Sequence, residues 1–66
     1  MTAYRVEVYV DGGARLHFRT EPFYDQARAW LVYADQRRFY SGAGFYVVTM
    51  THTNRDGEVS VVARDQ

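Results

Sequence analysis

Sixty-six residues with no net charge and no cysteine exclude several classes of protein at once. No disulfide or cysteine-rich zinc site can staple a chain this short, which buries only about 60% of its unfolded surface, so packing or self-association must supply the stability. Zero charge argues against a protein devoted to neutralising phosphates, no apolar run could cross a bilayer, and the amino terminus lacks a secretory pattern; a soluble, cytoplasmic single domain over residues 1–66 is the expectation.

Tyr4 to Val10 alternates, with Tyr4, Val6, Val8 and Val10 on one side and Arg5, Glu7 and Tyr9 on the other, which is the period of a half-buried strand. Asp11-Gly12-Gly13 predicts a turn, and Ala14 to Thr20 alternates again with Leu16 and Phe18 facing inward. A three-residue turn sets Val8 opposite Leu16 and Val6 opposite Phe18. The other face then gathers Arg5, Glu7, Tyr9, Arg15, His17 and Arg19, with His17 opposite Glu7.

A helix is expected from roughly Pro22 to Tyr40, with Thr20 as its cap, Glu21 and Asp25 near the positive end of the dipole, and Arg37 and Arg38 near the negative end. Ser41-Gly42-Ala43-Gly44 supplies the stop. At about 100° per residue, Phe23, Tyr24, Ala27, Trp30, Leu31 and Ala34 share an arc that predicts the core face. The far side carries a second apolar stripe, Ala29, Val32, Tyr33, Gln36 and Tyr40, with Phe39 beside Val32.

Phe45 to Thr53 predicts a third strand, Asn54-Arg55-Asp56-Gly57 a hairpin loop whose Asp-Gly step favours a type I′ turn, and Glu58 to Ala63 a fourth strand. Tyr46, Val48, Met50 and His52 are expected to face the helix together with Val59, Val61 and Ala63. Val47, Thr49, Thr51, Thr53, Ser60 and Val62 would form an exposed, threonine-rich face. The fold class is therefore α+β, a two-layer ββαββ unit with a four-stranded, antiparallel-rich sheet and one helix across one face. The helix returns the chain so that strands two and three run parallel, with room for a crossover that skips one strand.

Catalytic chemistry finds little support. Lysine is absent along with cysteine, and Ser41 and Ser60 are the serines, neither in the strand context of a nucleophile elbow. The glycines after the helix lie at the wrong end for a phosphate cradle, and Asp11-Gly12-Gly13 lacks the spacing of a calcium loop. His52 and Asp56 are two groups where a metal centre needs more, so neither a metal nor another cofactor is expected, and the chain reads as non-enzymatic.

Two surfaces remain. The outer helix stripe, Ala29, Val32, Tyr33, Gln36 and Tyr40, exceeds what a lone amphipathic helix carries, and it points to a small protein–protein interaction module, with a homodimer the first partner to consider. The size and composition also suit a phage or mobile-element accessory or inhibitor protein. The alternative is a nucleic-acid-binding sheet face built from Arg5, Tyr9, Arg15, His17 and Arg19, since arginine and aromatic side chains on an open sheet can bind phosphates and stack on bases.

Overall fold

The computed structural model describes residues 2–40 and 45–65. Four strands, β1 (Ala3–Val10), β2 (Arg15–Arg19), β3 (Val47–Thr53) and β4 (Val59–Asp65), form one sheet in the order β2-β1-β3-β4, and α1 (Gln26–Phe39) lies across one face. Every neighbouring pair is antiparallel. β2 and β3 consequently run in the same direction with β1 between them, which is the skipped strand allowed by the returning helix. The Ser41-Gly42-Ala43-Gly44 stop lies outside the described residues.

The helix begins later than its sequence signals suggest. Asp25 is the cap, its Oδ1 accepting from the Ala27 N–H at 3.0 Å, and Thr20 does something else. Thr20 Oγ1 accepts from Val6 N–H at 3.0 Å, and Phe23 exchanges backbone hydrogen bonds of 2.7 and 2.8 Å with Tyr4. Residues 20–23 thus extend the edge pairing against β1. Pro22 favours this path, because it disfavours helical geometry at the residue before it.

The larger correction concerns the helix faces. Ala29 is fully buried and Tyr33 is 5% exposed, and both pack against Val6, Val8, Val48 and Met50 of the central strands. Val32 and Tyr40 join the rim of this core and Gln36 is half-buried. The stripe expected on the far side of the helix is therefore its inner face. The arc expected inside looks outward instead, with Leu31 72% exposed, Tyr24 62% and Trp30 41%. Of that arc Phe23 alone packs against the core, from the segment preceding α1. Apolar side chains occur on both sides of the helix, so their spacing alone does not choose between the sides; the small Ala29 sits fully buried where the helix meets the sheet.

Both edge strands depart from simple alternation. Val8 pairs with Phe18 and Tyr9 with Leu16, leaving His17 as an extra residue in β2. Leu16 therefore shares a face with Tyr9 and is exposed, and the expected pairings of Val8 with Leu16 and Val6 with Phe18 do not form. In β4, Met50 pairs with Ala63 but Thr51 pairs with Val61, so Val62 is the extra residue. That inserted residue reverses the parity of the strand. Ala63 meets the core as expected, whereas Val59 and Val61 move to the opposite face. Bulges of this kind concentrate on sheet edges, where one side of the strand has no partner to hold it in step.

The turns also differ in detail. Asp11, Gly12 and Gly13 all take positive φ, and Ala14 completes a four-residue loop between the paired Val10 and Arg15. In the second hairpin Gly57 alone has positive φ, at 87°, and Asp56 does not, so the Asp56-Gly57 step does not form the expected type I′ turn. Asn54 organises this loop instead, its Oδ1 accepting from the N–H groups of Asp56 and Glu58.

Candidate functional site

On the sheet face away from α1, the register places Glu7 between Arg19 of β2 and Thr49 of β3, with Arg64 of β4 beyond. The Glu7 side chain is 8% exposed and its carboxylate is fully engaged, accepting from Arg19 Nε at 2.5 Å and from the Tyr9 hydroxyl at 3.0 Å. Burial, followed by the hydrogen bond to Glu7, raises the Tyr9 pKa, and the carboxylate holds Arg19 more firmly in its charged form. Around this group a depression of about 290 Å³ runs between Tyr9, Thr49, Thr51, Val61 and Arg64.

The threonine face is less open than expected. Val47 is 2% exposed, Thr49 6% and Thr51 7%. The central strands carry short side chains here while longer ones stand around them, so the middle of the sheet is screened.

The candidate nucleic-acid residues are only partly brought together. Arg5, Tyr9 and Arg19 share the Glu7 face, but Arg15 pairs across from Val10 and forms an ion pair of 3.4 Å with Asp11. His17, freed from the ladder by the bulge, is not opposite Glu7. Its ring lies 5.9 Å from Tyr40 and 6.4 Å from Tyr46, in an aromatic group at the carboxyl end of the helix. His52 stacks on Tyr4 with ring centroids 4.8 Å apart, while Asp56 sits in the turn. Among the described residues, no three histidines, aspartates or glutamates gather as metal ligands.

The outer side of α1 is the second surface. Ala27, Arg28, Leu31, Ala34, Asp35 and Arg38 are all exposed on it, and Trp30 flanks them, its ring edge-on to Tyr33 at 5.7 Å. Shallow grooves of about 410 and 590 Å³ run beside Leu31 and Phe39. Sequence periodicity assigns Ala27, Trp30, Leu31 and Ala34 to the core face; the surplus of apolar groups on the helix is visible in the sequence, but which half stays outside is not. At the sheet-facing side, Arg37 lies 5.7 Å over the Tyr33 ring and forms an ion pair of 3.4 Å with Asp65, tying the helix to the end of β4. No described helix is long and apolar enough to cross a membrane.

The architecture is that of an α+β unit with an antiparallel sheet and one covering helix. The chain is similar to proteasome subunit beta type-8 of Rattus norvegicus, with 43% identity over 56 residues. This stretch makes up 85% of the chain but only 19% of the rat protein. No protein-family model matches the chain, and no solved structure matches it.

Proposed function

We propose that this chain is a small, non-enzymatic interaction module that binds another polypeptide through the outer face of α1. The observation that carries this reading is Leu31, 72% exposed at the middle of that face, with Tyr24 and Trp30 also exposed. A helix packed on one sheet needs only one apolar side, and the inner side is already supplied by Ala29, Val32, Tyr33 and Tyr40. Apolar groups left contiguous on the other side are characteristic of association surfaces. The similarity to a protein named as a proteasome subunit is in keeping with a surface used in assembly.

The sheet face has less behind it as a nucleic-acid site. The Arg19 charge is taken up by Glu7, and Arg15 lies off this face in an ion pair with Asp11, so of the five candidate residues Arg5 alone brings the face a cation outside the ion pairs formed among the described residues.

Affinity capture with immobilised wild-type chain and with Leu31→Asp tests the reading. An anchor residue contributes about 2 kcal/mol or more, so the variant should lose its polypeptide partner while keeping the wild-type circular-dichroism spectrum. Equal retention by both chains, or retention of nucleic acid alone in a salt-sensitive manner, would overturn it.

A further inference from the structure

We propose that a second copy of this chain covers the outer face of α1, the two helices packing antiparallel about a two-fold axis that passes beside Leu31. This rests on the reading of that face as a protein-binding surface and supplies its occupant. The argument comes from the order of residues on either side of Leu31. Ala29 and Tyr33 define the direction of the core, and at 100° per residue Leu31 points away from it. On one flank lie Ala27, about 6 Å before Leu31 along the axis, and Ala34, about 4.5 Å after it. On the other flank lie Arg28, about 4.5 Å before, and Asp35, about 6 Å after.

A two-fold axis perpendicular to the helix keeps each flank on its own side and reverses the direction along it. Leu31 then meets the second copy's Leu31, Ala27 meets Ala34, and Arg28 meets Asp35, each of the last two contacts occurring twice. The arrangement is self-complementary in both size and charge. Alanines on one flank permit the close approach of about 8–10 Å between helix axes, and opposite charges on the other flank fix the antiparallel sense. A parallel pair about a two-fold along the helices would instead set the Arg28–Asp35 flank of each copy against the alanine flank of the other, leaving both charges without a counterpart across the contact.

Both charges are available for this role. The ion pairs formed among the described residues are Asp11–Arg15, Glu7–Arg19 and Arg37–Asp65, and neither Arg28 nor Asp35 takes part in one. Two turns of helix, about 10.5 Å, separate Arg28 from Asp35, so they cannot neutralise each other within one chain.

Sedimentation equilibrium from low micromolar to millimolar concentration tests the inference with three variants. The wild type should show a monomer–dimer equilibrium, and Leu31→Asp should abolish it. Arg28→Asp and Asp35→Arg should each weaken self-association about tenfold or more, because both reciprocal contacts turn from attraction to repulsion. An equimolar mixture of these two variants should recover a one-to-one dimer, since one carries two acids and the other two arginines at the facing positions. Each variant should keep the wild-type circular-dichroism spectrum, because each substitution lies on the exposed side of the helix. A monomeric wild type throughout, or a dimer that survives Leu31→Asp, overturns the second copy as occupant; the capture experiment above then decides the outer face by itself. A dimer lost with Leu31→Asp but not recovered in the mixture overturns the antiparallel pairing while the interface reading stands.

Discussion

Exchanging the two faces of α1 has a direct thermodynamic consequence, measurable with Tyr33→Ala and Leu31→Ala. Tyr33 is 5% exposed, packed edge-on against Trp30 and covered by Arg37, and it sits in the cluster formed with Val6, Val8, Val48 and Met50. Truncating a buried ring costs about 3–5 kcal/mol, through lost transfer energy and the cavity left behind. A domain of this size holds roughly 3–10 kcal/mol in all, so Tyr33→Ala should remove most of its stability. Leu31, 72% exposed, should lose no more than about 0.5 kcal/mol on the same truncation. At about 4–8 °C per kcal/mol the melting temperatures should separate by more than 10 °C. Urea unfolding followed by circular dichroism gives the free energies, at a protein concentration low enough to keep both variants monomeric; Tyr33→Leu extends the series if the alanine variant is unfolded at the outset. Equal losses at the two positions, or a larger loss at Leu31, would refute the assignment of the helix faces.

Two further outcomes follow from the local geometry. Asp25→Ala should cost about 1 kcal/mol and speed amide exchange at Ala27, whereas Thr20→Ala should speed exchange at Val6 and leave the first helical turn protected; the reverse pattern would return the cap to Thr20. Burial raises the pKa values of Tyr9 and Tyr33, so the native state favours their neutral form. Their contribution to stability is complete below the unfolded-state value near 10 and is lost as pH rises through the higher folded-state values. Ultraviolet titration should therefore show late-ionising tyrosines, with a fall in stability above pH 10 that Tyr33→Phe reduces. All six tyrosines ionising together at the ordinary value would contradict the burial argument.

Much of the architecture was legible because it rests on local signals. The alternation of Tyr4 to Val10 and the glycine-bearing turns marked the hairpins, and one long segment rich in helix formers lay between them. The core placement of Val6, Val8, Val48 and Met50 followed from the same alternation. The candidate site was far less legible. Arg5, Tyr9 and Arg19 did reach one face, but His17 is itself the inserted residue of β2, and Arg15 before it is thereby shifted to the other side of the sheet. Val59 and Val61 moved for the same reason, the bulge at Val62 separating them from Ala63. Such insertions are properties of an edge strand adjusting its twist to a neighbour, and β2 and β4 find their neighbours only when the sheet assembles.

By itself, then, the sequence determined the succession of strands and helix, the antiparallel hairpins and the return of the chain, all of which depend on residues close together along it. The tertiary structure decided which half of α1 is inside. Apolar side chains occur on both halves, and their transfer energies differ too little to choose. The choice went to the side on which the small Ala29 and the ring of Tyr33 pack into one buried cluster with Val6, Val8, Val48 and Met50. Shape complementarity between two surfaces of different elements exists only after both have formed, and together with the cost of burying Arg28 and Asp35 it left Leu31 facing outward.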